Sequence, residues 1–503
     1  MNLSDFITLK RAWSRALFSC ALCCLTLLGS CTHLGDTKRY DIVLAGGRVI
    51  DPESGLDAVR NIGIRGQTIV AVTSAPISGT RTVNVTGLVV APGFIDIHSH
   101  SPTPFGARQQ LFDGVTTQLD LEAGAFPVSA YGEYFDQGAP VNFGASVSHL
   151  AVRTKVLTGE DRPYLFSRKG DPPVPEAFTQ KAKPAEIQEM RTLLDQGLKS
   201  GGIGIGILLD YASQGITPEE LQMIFEVAAK HQAPVTVHVR RGMPGDAKGL
   251  DEVIELAVST KVPLLICHIS HSAMQGVDNW LAKIDAANAR GARISAETLT
   301  YAAGGTAISA AVFDRDWQSI FKISYSDVQW TATGEWLTEE SFHRYRREQP
   351  GGMVNHHYVS EEWIRTALRW PKIMVVSDAT PAFEERRLSS PNLSGTFSRF
   401  LGQYVRIEGI LSLPAAIART SLHQAQWLEH VAPAFKRKGR IRIGMDADIV
   451  AFDPTSVEEK ATYGRPFERP VGIRYVLVAG KLAVSNGQLE DTEPVGQRIV
   501  ADW

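Results

Sequence analysis

Two histidines one residue apart, His98 and His100, follow an apolar run that ends at Ile95. Alternate side chains of a strand leave on the same face, so these imidazoles stand about 6–7 Å apart on one side, with Ser99 on the other. Two histidines so placed can hold one metal ion or help to bridge two. Further along, His238 closes the run Val235-Thr-Val-His238, His268 closes Leu264-Leu-Ile-Cys-His268, and Asp378 follows Met374-Val-Val-Ser377. Four histidines and an aspartate, each just past an apolar run, make a donor set for a divalent ion. The chemistry such a set supports is metal-assisted hydrolysis of a carbonyl compound such as an amide. One or two zinc ions would polarise the carbonyl and lower the pKa of a water towards about 7. Asp378 is the expected general base, taking the water's proton and handing it to the leaving nitrogen. His238 and His268 are expected at the more exposed ion, with His98, His100 and Asp378 around the buried one.

The elements that must position these groups are strands of a parallel barrel. Between Phe94 and about His430 apolar runs alternate with helix-like segments, the pattern of a (β/α)8 barrel of the α/β class. Candidate strands are 93–98, 115–121, 142–147, 202–209, 234–238, 263–268, 293–298 and 372–377. Helix 217–231 carries Thr217 as a cap, Pro218 in its first turn and a spaced apolar face. In such a barrel the chemistry sits at the C-terminal ends of the strands. Those ends also present Glu122 after the second strand, and His149 and Arg153 after the third. Glycines 202, 204 and 206 are followed by no Gly-Lys-Ser/Thr, so they read as a strand and not as a phosphate loop. Short strands with glycine turns fill residues 40–90 and recur in 439–489, so both ends of the chain are expected to build one small β-sandwich domain. The expected division is 1–31 leader, 32–92 and 431–503 sandwich, and 93–430 barrel. Residues 313–371, rich in aromatics, form an insertion that is either a lid over the catalytic face or a helical elaboration packed on the barrel.

The chain has 503 residues, 44% hydrophobic and 21% charged, with net charge −3, which gives no electrostatic case for a nucleic-acid partner. A small molecule is the expected partner, and the oligomeric state is left open. Four of the five cysteines fall in the first 31 residues. Lys10, Arg11 and Arg15 precede the apolar stretch 16–28, which is short for a membrane span, and Leu28-Gly29-Ser30-Cys31 follows. This resembles a bacterial lipoprotein signal, with Cys31 lipidated and the domain tethered to a membrane only by that anchor. A plain secretory signal or an uncleaved anchor is the alternative. Thr32, where a retention aspartate would stand, favours the periplasmic face of the outer membrane. Cys267 is then the one unlipidated cysteine, with no disulfide framework; beside His268 on a strand it is expected to face away, into the core.

The turn Pro92-Gly93-Phe94 before the histidines, and Gly444-Met-Asp446-Ala-Asp448 near the end, resemble the amidohydrolase superfamily. No lysine lies in 202–215, so a carboxylated bridging lysine is not expected. Nearly the whole chain beyond the leader resembles the D-aminoacylase group, the N-acyl-D-amino-acid deacylases. The matching pieces include Asp113-Gly-Val-Thr-Thr117, Ser148-His149-x-x-x-Arg153, Tyr211, Val237-His238-Val-Arg240, Ala296-Glu297-x-x-x-Tyr301 and Gly395-Thr-Phe-Ser-Arg-Phe-Leu-Gly-Gln-Tyr404. Where that group has a cysteine ligand, this chain reads Leu121-Glu122-Ala-Gly124, which resembles the N-acyl-D-glutamate deacylase branch. The resemblance makes Glu122 a bridging ligand between two ions; a loop carboxylate beside a single ion is the alternative. His271 stands where the group tends to have a substrate-contacting lysine.

For the substrate, Arg153, Tyr301 and either Arg386 or Arg387 are the candidate clamps on an α-carboxylate, because guanidinium binds carboxylate bidentately. Tyr301 could instead support the oxyanion. His149 and Tyr211 complete the expected substrate-binding set, with Arg387 taken as the third clamp. The resemblance implies hydrolysis of N-acyl-D-amino acids, N-acyl-D-glutamate among them. Two alternatives stand beside it: another linear or cyclic amide or dipeptide on the same site, and a surface lipoprotein that binds a ligand without turnover.

Overall fold

The computed structural model describes residues 40–164, 174–384 and 390–503. Cys31, Arg386 and Arg387 lie outside them. Eight strands form one sheet in sequence order: β1 Phe94–Asp96, β2 Val115–Ala125, β3 Asn142–Ser148, β4 Ile205–Leu208, β5 Val235–His238, β6 Leu264–Ile266, β7 Ile294–Thr298 and β8 Met374–Val375. All eight coincide with expected runs. Every neighbouring pair is parallel, and Asp378 N–H donates to the His98 carbonyl across the remaining gap, bringing β8 back to β1. Strands buried on both faces need continuous apolar runs, and β2 and β3 are buried at every position. Each buried Val, Leu or Ile there contributes roughly 1.5–3 kcal/mol. Helix Pro218–His231 begins as its residues dictate: the Thr217 side chain accepts from Glu220 N–H, and Pro218 occupies the first turn.

Both ends of the chain meet in one mixed sheet of nine strands. Its seam is Val89–Pro92 antiparallel to Ile449–Phe452. Asp448, from the second motif, ties this sheet to the barrel, accepting from Lys438 Nζ at 2.6 Å, Asn142 Nδ2 at 3.1 Å and Ala479 N–H at 2.7 Å. The last residues leave that sheet and return to the barrel. Ile499 N–H donates to the Phe143 carbonyl, and Trp503 Nε1 donates to Gly202, so Ile499 and Ala501 pack with Leu119 and Ile203.

The insertion is neither a bare loop nor purely helical. Its strands Val328–Trp330, Glu335–Trp336 and Met353–His356 join Gly304–Ala307, which precedes it, in a separate four-stranded sheet. Its aromatics pack on each other, with Trp330 stacked on Tyr345 at 4.4 Å between ring centres. No helix among the described residues is long and apolar enough to cross a membrane.

Candidate metal centre

Glu122 sits at the middle of the strand ends because β2 bulges there. Between Asp120 and Ala125, residues 121–124 stand opposite Ser146 alone on β3. Asp120 fixes the bulge by accepting from Ala123 N–H at 2.9 Å and Gly124 N–H at 3.0 Å, while Gly124 takes φ +62. The β4 strand must let it pass: a Cβ on Gly206 would lie 2.1 Å from the Glu122 carbonyl oxygen. The glycines of 202–206 thus serve close packing under the site.

The two oxygens of Glu122 face two pairs of histidines. Oε1 is 3.0 Å from His238 Nδ1 and 2.9 Å from His268 Nε2. Oε2 is 3.3 Å from His98 Nε2 and 3.5 Å from His100 Nε2. Asp378 Oδ1 joins the second pair, 3.4 Å from His98 Nε2 and 3.3 Å from His100 Nε2. Ligands about 2.0–2.1 Å from a tetrahedral ion stand about 3.3 Å from one another, so both groups fit a divalent cation. The donor atoms of His98, His100 and Asp378 form one such group and those of Glu122, His238 and His268 another.

Partners behind the ring nitrogens set which face carries the lone pair. His98 Nδ1 is held by Glu297, His100 Nδ1 by Asp120 at 2.8 Å, and His268 Nδ1 by Ser272 Oγ at 3.0 Å. His238 differs. Its Nε2 is 3.0 Å from Arg241 Nη2, and a guanidinium only donates, so here the ring proton sits on Nδ1, towards Glu122. Burial alone would lower His98, but Glu297, Glu122 and Asp378 hold it well above its ordinary pKa; Asp120 does the same for His100. Burial, helped by His268, pushes His238 down to about 4. For Asp378 burial acts upwards, but His98, His100 and His268 keep the carboxyl below its ordinary value.

Asp378 is also the open member, its side chain 24% exposed against 6% or less for the other five. It holds a left-handed backbone, φ +48, as does His268 at φ +30. Such conformations cost of order 1–3 kcal/mol and gather at functional positions. The turn at His268 also explains Cys267. Strand β6 ends at Ile266, so alternation fails, and the Cys267 sulfur lies within 4.8 Å of the facing atoms of His98 and Glu122 instead of pointing away. Burial pushes its thiol well up.

Several expected substrate contacts lie elsewhere. Arg153 and His149 both close on Glu220, His149 Nε2 at 2.9 Å, and Arg153 Nε donates to the Ala177 carbonyl. All three side chains are buried among helices, where they tie helix His149–Thr158 to helix Pro218–His231. Tyr301 donates to the Ala461 carbonyl at 3.1 Å and lies under Arg399, so it offers nothing to a carboxylate or oxyanion. Tyr211 does reach the centre, its ring 4.9 Å from that of His238. His271 is buried, and its pKa is pushed down to about 3 by burial and by His268. Sequence reasoning missed the roles of Asp120, Glu297, Asp210 and Arg241. Glu297 had a signal, its place at the end of an apolar run inside a quoted motif; Arg241 had none.

The comparisons agree with this geometry. Residues 89–264 match the model of the Amidohydrolase family. D-aminoacylase from Alcaligenes xylosoxydans xylosoxydans is 28% identical over 88% of this chain and 94% of its own length. N-acyl-D-glutamate deacylase from the same organism is 27% identical over 88% of this chain and 93% of its own. A crystal structure of D-aminoacylase superposes with TM-score 0.73 at 25% identity, covering 92% of this chain and 100% of that one. Alongside this strand order and the histidine pairs at the strand ends, the chain is similar over most of its length to the D-aminoacylases and over residues 89–264 to the Amidohydrolase family.

Proposed function

We propose that this protein hydrolyses the amide bond of N-acyl-D-amino acids to a carboxylate and a free D-amino acid, with zinc held by His98, His100, Glu122, His238, His268 and Asp378. The observation that carries the reading is Glu122, which offers one oxygen to each histidine pair beside the open carboxylate of Asp378. Imidazole and carboxylate donors at these separations suit zinc. Bound there, zinc supplies Lewis acidity towards the carbonyl oxygen and makes a water acidic enough to attack near neutral pH.

The chain's own groups do the rest. Asp378, the most exposed of the six, accepts the proton of the attacking water as the new carbon–oxygen bond forms. It then returns that proton to the amide nitrogen as the carbon–nitrogen bond breaks, and the amine leaves neutral. Glu297, Asp120 and Ser272 hold three ligand rings in their tautomers. The D-configuration follows the two Alcaligenes relatives. Leu28-Gly29-Ser30-Cys31 supports a lipid anchor at Cys31 and a place on the periplasmic face of the outer membrane, which labelled palmitate and Cys31→Ala would test.

Amine release from N-acetyl-D- and N-acetyl-L-amino acids, measured on the zinc-loaded protein, tests the catalytic reading. Release from the D-series alone is expected. Release from the L-series removes the assigned handedness, and no release with zinc bound removes the activity.

A further inference from the structure

On the side of His100 the metal centre is continuous with an aromatic cleft. The cleft, of about 310 Å3, has the His100 ring and the Asp120 carboxylate at its inner end and the rings of Tyr131, Tyr134, Tyr164 and Phe383 along its walls. His100 belongs to the donor set, its Nε2 3.3 Å from Asp378 Oδ1, so a group that fills the cleft meets the centre at that ring. The four rings form one chain. Tyr131 lies 6.3 Å from Tyr164 between ring centres, Tyr164 lies 6.3 Å from Tyr134, and Tyr134 meets Phe383 edge to face at 5.3 Å. Tyr131 turns its hydroxyl into the core, where it donates to the Ser99 carbonyl at 3.1 Å, and leaves its ring to the cleft. Tyr134, Tyr164 and Phe383 are only half-buried. Aromatic surface left part open beside a catalytic centre favours an apolar occupant that covers it, and another ring can pack on it edge to face or offset.

Charge decides which part of a substrate enters. An N-acyl amino acid has two arms on its amide: an uncharged acyl group on the carbonyl carbon, and on the nitrogen an amino acid that carries a carboxylate. The cleft presents Asp120, and none of the described residues lining it is a lysine or an arginine. Arg498 reaches Tyr131 from behind and spends its guanidinium on the carbonyls of Val128, Ser129 and Tyr131. A carboxylate drawn into the cleft would face Asp120 with no cation between them, which is unfavourable. The acyl arm meets no such repulsion. An acetyl methyl would leave most of the space to water, whereas a ring would lie against the aromatic walls. We propose that this cleft is the acyl subsite and that it favours substrates whose acyl group is apolar and ring-bearing over their N-acetyl counterparts. The proposal rests on the amide-hydrolase reading and names the class of acyl group it takes.

The test compares N-acetyl with N-phenylacetyl derivatives of the same D-amino acids, in wild type, Phe383→Ala, Tyr134→Ala and Tyr134→Phe. Wild type is expected to favour the phenylacetyl series by about 10- to 100-fold in kcat/KM, the scale of burying one aromatic side chain, mainly through KM. Each alanine variant removes a wall and should lose most of that preference. Tyr134→Phe keeps the ring and should retain it. Arg365→Gln, which removes the pairing of the insertion with Glu408, should leave the ratio as in wild type. A wild type that does not favour phenylacetyl overturns the proposal, and so do equal losses on both series in the two alanine variants, which would make the rings merely structural. If wild type releases no amino acid from either series, calorimetric binding of phenylacetate and acetate decides separately. Phenylacetate favoured by wild type and no longer by Phe383→Ala then upholds the aromatic subsite although the hydrolase reading has failed, and binding without that difference ends both.

Discussion

The two halves of the metal centre use the same residue types and are backed by opposite charges. His98 and His100 lean on the carboxylates of Glu297 and Asp120, and Asp378 adds a third negative group in front. His238 and His268 lean on Arg241 and Ser272 and share Glu122, with Asp210 3.9 Å from His238 Nε2. Carboxylates behind imidazoles raise their basicity and the local negative potential, whereas a guanidinium against Nε2 lowers both. The first half is therefore the stronger seat for a divalent cation. In the second, Arg241 must give up its contact before Nδ1 of His238 can turn its lone pair to an ion. A shared fold position does not confer a shared affinity; the partner one layer back decides.

The largest expected break comes from Asp378→Asn, which keeps the shape and removes the base. We expect hydrolysis to fall by about 10²–10⁴-fold in kcat, with the circular dichroism spectrum and much of the ligand binding retained. Unchanged activity would falsify Asp378 as the proton carrier. Glu122→Gln comes next, since it weakens both halves together. Metal analysis after dialysis should show loss from both positions, each with affinity lowered by more than about 100-fold; loss from one half alone would mean that Glu122 does not bridge.

Glu297→Gln and Ser272→Ala separate the halves. The former should lower affinity in the first half by about 10- to 100-fold, and the latter should spare it. Comparable effects of the two variants on the first half would erase the asymmetry. The smallest effect is a shift with pH. The carboxylates around His98 and His100 hold both above their ordinary pKa, so an ion entering their half competes with protons and binds more tightly as pH rises. His238, pushed down to about 4, is already neutral far below physiological pH and offers no such competition. Calorimetric titration in buffers of different ionisation heat should show proton release for the first ion bound and less for the second.

Barrel strands and the candidate metal ligands were legible because each depends on a local pattern. An apolar run long enough to be buried on both faces becomes a strand, and the residue just past it lands at the catalytic end, as His238, His268 and Asp378 show. Arg153 and Tyr301 were misplaced for the opposite reason. Their type was right for a carboxylate clamp, but Glu220 and the Ala461 carbonyl, both distant in sequence, reached them first. Cys267 shows the limit inside a single strand, since a left-handed turn at the next residue cancelled the alternation on which its orientation rested.

By itself, then, the chain's pattern of apolar runs and the polar residues at their ends determined the barrel, foretold strands at both ends of the chain, and marked six candidate donors for the metal centre. Tertiary structure alone decided that a bulge opposite Ser146 and a glycine at 206 carry Glu122 between the histidine pairs. It also decided that Asp210 draws Arg241 from one strand end and Arg315 from the insertion to the side of His238. Local periodicity records which residues must be buried. Which buried charges then share a partner depends on segments over a hundred residues apart closing on the same few ångströms.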